Sequence, residues 1–303
     1  MRGAARGDAV IEFGAEVAAA QRERRPIVAL ETTLVAHGFP GGEGLAVALE
    51  SEQRVRDAGA VPATIGVVDG AIRVGLAENE LARFAEAGRT AQKVGPRELA
   101  AVLARRQLGA TTVGGTLTVC YRVGIRFMGT GGIGGVHRGY AERPDVSADL
   151  AAIARTPTLV VSSGVKSLLD VPATLEVLET LGVPVAGWQT DTLPLFYSAA
   201  GGPPLGLRVD DVAGAAGLVR FHWELGLHGV LLAQAPPESF EAEPLIEEAL
   251  TAARDAGVTG QDVTPFVLAR LHDRTNGETV RVNRRLIAEN AALAAEVAVA
   301  YFG

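Results

Sequence analysis

The chain has 303 residues, 48% hydrophobic, 21% charged and only 5% aromatic, so its interior must be built mainly from Val, Leu, Ile and Ala. A formal net charge of −7 argues against nucleic acid as a partner, while a small anion held by a local cluster of cations stays possible. The single cysteine, Cys120, excludes an internal disulfide and a Cys-rich zinc site and fits a reducing cytoplasm; no apolar run approaches the roughly 18 residues of a membrane span.

Residues 8–22, broken by Asp8, Glu12 and Glu16, read as an amphipathic helix and not as a secretory signal. Pro26 to Leu30 reads as a buried strand ending at Glu31, and Gly44 to Ala58 as a helix closed by Gly59. Ala63 to Val68 is a predicted strand, turned by Asp69-Gly70 into Ile72 to Val74. Pro96 to Leu108 is a predicted helix with proline in its first turn and Gly109 as its stop. Gly115 to Val123 follows as a helix, and Gly124 to Met128 as a strand feeding a glycine-rich loop.

Strands are then expected at Thr158 to Ser162, Val183 to Gly187 and Gly229 to Ala233, with helices at Pro172 to Leu181 and Val209 to Leu225. Three helices close the chain: Glu241 to Ala256, Thr264 to Asp273, and Val280 to Tyr301. This alternation predicts an α/β fold, a three-layer α/β/α sandwich with a mostly parallel central sheet, over one domain of residues 1–303.

Only two of the 28 basic residues are lysines, Lys93 and Lys166. Arginine stays protonated at any working pH, whereas lysine can lose its proton and attack a carbonyl to give an imine. Lys166 lies in Ser162-Ser163-Gly164-Val165-Lys166-Ser167, a turn leaving a predicted strand, where it is either a nucleophile or a surface cation. Glu31 sits at the mouth of a buried strand, ahead of Thr32, Thr33 and His37. Ligands bind beyond such strand ends, and partial burial would make this carboxyl a general acid; the alternative is a cap or an ion pair.

The segment Gly129 to Gly139 contains G-x-G-x-x-G, but His137, Arg138, Gly139 and Pro144 make a poor helix, so a dinucleotide site is rejected. A flexible loop ending in His137-Arg138 suits a phosphate monoester, or is a turn with no ligand. In an extended segment Asp145, Ser147 and Asp149 would face one way and suit a hard cation such as Mg²⁺ or Mn²⁺; Ser147 is equally a helix cap.

Several of these segments together resemble the pseudouridine-5′-phosphate glycosidase family. They are Val28 to Thr33 with His37-Gly38, Gly59 to Ile65, Gly109 to Val113, Thr130 to Gly139, Asp145 to Leu150, Lys166-Ser167 with Leu169-Asp170, Val263 to Phe266, and Asn290-Ala291 with Leu293-Ala294. The resemblance runs from about Pro26 to Val299. It implies an α/β/α homotrimer acting on the carbon–carbon bond between C1 of ribose 5-phosphate and a flat ring. By the same resemblance Lys166 is the nucleophile that holds the opened sugar as an imine, and Glu31 is the proton donor. The resemblance also implies that Lys93, the backbone at Val113, and Ser147, Ala148 and Asp149 contact substrate and that Asp145 binds Mn²⁺ (or Mg²⁺); Thr130, His137, Arg138 and Asn290 are further substrate-binding candidates.

The chain departs from the family pattern at Trp188-Gln189-Thr190-Asp191, at Ala233-Gln234-Ala235, at Gly114-Gly115 and at Glu31-Thr32-Thr33. Such changes suggest an altered ring pocket, with Gly114 and Gly115 making room and Trp188 stacking on a larger aromatic system; drift with Trp188 in the core is the plainer account. The first reading favours the family's C-glycosynthase branch, which joins ribose 5-phosphate to a planar aromatic polyketide aglycone in antibiotic biosynthesis. The alternative is reversible cleavage of pseudouridine 5′-phosphate to uracil and ribose 5-phosphate.

Overall fold

The computed structural model describes residues 10–142, 144–258 and 263–303, without the side chains of Thr264 and Pro265. The N-terminal segment is β1 (Ile11–Phe13) followed by α1 (Ala15–Glu23), in place of the one helix expected there; Asp8 and Ala9 of that expectation lie outside the described residues. Ile11 pairs with Ile72, so β-pairing at the sheet edge overrides the helical pattern.

Next come β2 (Ile27–Glu31), the short α2 (Thr33–His37) and α3 (Gly44–Asp57). Strand β2 is buried at every position, as expected of a parallel strand covered on both faces. Val28 and Leu30 pack on one side of the sheet, Ile27 and Ala29 on the other. Strands β3 (Val61–Val68) and β4 (Ala71–Val74) form a hairpin whose turn residues Asp69 and Gly70 both have positive φ, 52° and 86°, as the two-residue turn requires.

After α4 (Glu78–Ala87), the helix expected from Pro96 to Leu108 is present but shortened, with a strand on either side of it. The chain forms β5 (Gln92–Val94), one and a half turns of α5 (Leu99–Ala104), and β6 (Gly109–Thr111). Gly109 is not a helix stop but a strand residue: a Cβ there would lie 2.7 Å from Val102 Cγ1 and 2.8 Å from Val94 Cγ2.

Helix α6 (Val113–Val123) starts from Thr112, whose hydroxyl accepts the Gly115 N–H at 3.2 Å. Then follow β7 (Phe127–Gly129), β8 (Val136–His137), α7 (Ala148–Arg155), β9 (Leu159–Ser162), β10 (Leu169–Asp170) and α8 (Val171–Thr180). The chain continues through β11 (Val185–Trp188), β12 (Arg208–Val209), α9 (Val212–Glu224) and β13 (Val230–Gln234). It ends in α10 (Glu243–Asp255), α11 (Val263–Arg274) and α12 (Glu278–Phe302).

Eleven strands make one sheet, ordered β1-β4-β3-β2-β7-β9-β13-β11-β12, with β6 joining β3 and β5 joining β6. Every pairing in it is parallel except those of β3 with β4 and with β6. Helices α3, α9 and α12 cover one face, and α6, α7 and α8 the other, giving the three layers read from the sequence. The Ala-rich α12 crosses β2, β7 and β9 closely. Cys120 is fully buried in α6, where burial pushes its thiol up to about 12. Among the described residues no helix is long and apolar enough to cross a membrane.

Candidate active site

Parallel strands β2, β7 and β9 end side by side, so the segments leaving them meet at one rim of the sheet. A cleft of about 630 Å³ opens there. Glu31 enters it from the end of β2, Lys93 from β5, and Lys166 from the turn after β9. His137, Asp145, Ser147, Ala148 and Asp149 complete the set of expected residues along its wall. Both lysines of the chain therefore face the same space.

Glu31 is 3% exposed. The Thr130 hydroxyl, which follows β7, donates to its Oε1 at 2.5 Å. Burial raises the Glu31 pKa to about 7; the positive charge of Lys166, the Thr130 hydroxyl and Lys93 pull it down, and the negative charge of Asp149 adds to the rise. Such a carboxyl is divided between its acid and base forms at neutral pH, which suits a proton donor in one direction and an acceptor in the other.

The glycine-rich loop leads into β8, and no helix opens at its last glycines, which agrees with the rejection of a dinucleotide site. Its amides are largely engaged within the protein. Ile133 N–H donates to the Gly164 carbonyl at 3.1 Å, Gly134 N–H to Asp149 Oδ2 at 2.9 Å, Val136 N–H to the Thr174 hydroxyl at 2.9 Å, and His137 N–H to the Asp145 carbonyl at 3.0 Å. The loop thus serves to place Lys166, whose own N–H donates to the Ile133 carbonyl at 3.1 Å. Gly164 makes the turn at φ +73°, with its missing Cβ 2.3 Å from the Pro194 carbonyl oxygen.

Asp149 does not reach for a cation. Its Oδ1 accepts the Gly114 N–H at 2.8 Å and its Oδ2 the Gly134 N–H, so it clamps the start of α6 to the glycine-rich loop. The Ser147 hydroxyl accepts the Asp149 N–H at 3.2 Å and caps α7. The extended reading of Asp145, Ser147 and Asp149 fails beyond Ser147, because α7 begins at Ala148. Among the described residues no group of three or more His, Cys, Asp or Glu is placed to hold a metal ion. Asp145 lines the cleft without such a set of partners.

Four expected substrate-binding residues do not line the cleft. Val113 is buried in the first turn of α6, next to Thr112 on the wall. Thr130 lies beneath Glu31. Asn290, 1% exposed on α12, donates to the Thr130 carbonyl at 2.8 Å and to the Ser163 hydroxyl at 3.1 Å, holding the ends of β7 and β9 together. Arg138, expected beside a phosphate, turns instead to Glu243 and Glu247 of α10 and to the Ser167 and Leu169 carbonyls.

The residues read as ring-pocket changes also lie elsewhere. Trp188 packs against the core under α9 and α12 and not in the cleft. Gln189 donates to the Asp210 carbonyl, and Asp191 pairs with Arg208. Gly115 opens no room: a Cβ there would sit 2.2 Å from the Val94 carbonyl oxygen. At Gly114 it would sit 3.0 Å from Asp149 Oδ1 and 3.2 Å from Pro96. Close approach of backbone accounts for Gly115, whereas Gly114 abuts the side chains of Asp149 and Pro96, which themselves line the cleft.

His37, Thr33, Arg97, Thr112 and Leu268 line the cleft without having been singled out as ligands. His37 closes the short helix α2 that follows Glu31, a signal that was available. Its Nε2 is 3.1 Å from the Ala91 carbonyl, and burial lowers its pKa, favouring the neutral ring. Leu268 arrives from α11, far along the chain, and no local pattern marks it.

The profile of the family described as indigoidine synthase A like protein matches residues 16–300. A pseudouridine-5′-phosphate glycosidase of Salinispora tropica is 48% identical over 98% of this chain and 95% of its own. That of Myxococcus xanthus is 46% identical over 96% of this chain and 98% of its own. Among solved structures, the prealnumycin C-glycosynthase AlnA in complex with ribulose 5-phosphate superposes with a TM-score of 0.87 at 39% identity, covering 97% of this chain and 98% of that one.

Proposed function

Since the chain belongs to the pseudouridine-5′-phosphate glycosidase family of indigoidine synthase A-like proteins, we propose that its cleft reversibly cleaves pseudouridine 5′-phosphate to uracil and ribose 5-phosphate. The observation that carries this reading is the meeting of Lys166 with a buried Glu31 whose pKa lies near 7.

A C-glycosidic bond offers no leaving heteroatom to protonate, so the two-carboxylate route of ordinary glycosidases does not apply as such. In its place the neutral Lys166 amine attacks C1′ of the ribose. The C1′–O4′ bond breaks, and O4′ keeps the electron pair and takes the proton of Glu31. The ammonium so formed gives a proton to the Glu31 carboxylate, and the freed nitrogen lone pair forms a C1′–N double bond as the C1′–C5 bond breaks. Uracil C5 takes that electron pair and a proton. Water adds to the imine, releasing open-chain ribose 5-phosphate and restoring the amine. The reverse sequence makes the bond.

Lys93, His137 and Ser147 to Asp149 bind the sugar phosphate, Val113 packs behind the wall, Thr130 holds Glu31, and Asn290 holds the ends of β7 and β9. Asp145 would hold a Mn²⁺ or Mg²⁺ ion, which supplies positive charge near an anionic substrate. The active assembly is a homotrimer.

The polyketide C-glycosynthase reading has the 39% likeness to AlnA in its favour. The glycosidases are closer at 46% and 48%, and neither Trp188 nor the two glycines face the cleft. Uracil and a polycyclic quinone, each offered with ribose 5-phosphate, decide between the two. We expect a C-riboside of uracil; a C-riboside of the quinone alone would overturn the choice. Incubation with ribose 5-phosphate and borohydride tests the chemistry itself: covalent mass on Lys166 is expected, and its absence sinks the imine.

A further inference from the structure

Arg138 is bound on two sides. Its Nη2 donates to the Ser167 carbonyl at 2.7 Å and its Nε to the Leu169 carbonyl at 3.3 Å. Its Nη1 pairs with Glu243 at 2.7 Å and with Glu247, both on the first turns of α10. The two carbonyls belong to the turn that begins at Lys166, where the Leu169 N–H also donates to the Lys166 carbonyl at 3.0 Å. Next to Arg138, at the end of β8, His137 pairs with Leu169 and lines the cleft. Helix α10 packs on α11, which brings Leu268 to the cleft.

We propose that Arg138 is a positioning residue for Lys166: its planar fork fixes the Lys166–Leu169 turn against α10, and so sets where the amine meets C1 of the sugar. The inference rests on the imine reading above. Two features favour it over a plain surface ion pair. The side chain is only 29% exposed, and its donors close on backbone carbonyls of the catalytic turn as well as on carboxylates. A lysine at this position would keep the charge but lack the fork that spans both sets of acceptors. Displacing a nucleophile by about 1 Å costs on the order of 10²-fold in rate, while substrate affinity, set by other groups, need not change.

The experiment compares Arg138→Met and Arg138→Lys with the wild type in single-turnover borohydride trapping by ribose 5-phosphate, with kcat and KM measured alongside. Trapping at Lys166 slowed by about 10-fold or more in both variants, with KM within about 3-fold, is the expected result. Should Arg138→Met fail to fold, Arg138→Lys carries the test, since it keeps a cation for Glu243 and Glu247. Unchanged trapping in a folded variant overturns the proposal. So does a large rise in KM with kcat intact, which would make Arg138 a phosphate ligand. Failure of the wild type itself to trap would strike the imine reading and not the role of Arg138.

Discussion

Thr130 donates its hydroxyl to Glu31 across the seam between β7 and β2, at 2.5 Å in a fully buried setting. The bond favours the carboxylate, against burial, which favours the acid. Thr130→Val keeps the shape and removes the donor. We expect the Glu31 pKa to climb further, moving the alkaline limb of the kcat profile upward. A limb that stays in place would show that Glu31 is not the group it reports.

Glu31 also leaves a mark on stability. Between its ordinary value of 4.5 and about 7, the folded protein holds a proton that the unfolded chain has released. The group therefore costs nothing below 4.5, destabilises increasingly as pH rises from 4.5 to about 7, and its cost levels off above that. Glu31→Gln removes this cost. The variant should be more stable than the wild type by up to about 3 kcal/mol at pH 8, and the gap should close below pH 5. Denaturant melts at the two pH values measure it, and a gap independent of pH would contradict the assignment.

Asp149→Asn tests the clamp between α6 and the glycine-rich loop. An amide offers one acceptor where two N–H groups now converge, and turns its own donors on the other. Stability should fall by about 1–3 kcal/mol, and sugar-phosphate binding should weaken with it. Loss of the Asp149 charge should also lower the Glu31 pKa. Thermal melts and the pH profile of turnover read both effects.

The two glycines in the first turn of α6 give a test of packing against pocket shape. In Gly115→Ala the new methyl would press on the Val94 carbonyl oxygen, so we expect a loss of about 1–3 kcal/mol. Trp188→Phe, remote from the cleft, should leave the preference between uracil and a quinone unchanged. A switch of aglycone in a stable Gly115→Ala or Trp188→Phe protein would restore the altered-pocket reading.

Asp145→Ala should raise the KM for the sugar phosphate with its largest effect when Mn²⁺ is present, and a chelator should abolish the difference between variant and wild type. Equal KM values with and without the cation would remove Asp145 as its holder.

Apolar runs such as Ile27 to Leu30 and Thr158 to Ser162 determined their strands directly, because a parallel strand covered on both faces must be apolar at nearly every position. The rarity of lysine pointed to Lys93 and Lys166 before any fold was known, since only their chemistry separates them from arginine. Strands β5 and β6 carried no such signal: Gln92 to Val94 and Gly109 to Thr111 are short and become strands by pairing with each other and with β3. The tertiary structure alone decided the direction of the side chains. Asp149 turns to two amides, Arg138 to α10 and the lysine turn, and Trp188 to the core, because each choice depends on partners between about 15 and more than 100 residues away in the chain. Local spacing brings a residue to a strand end; which groups await it there is set by how distant segments pack.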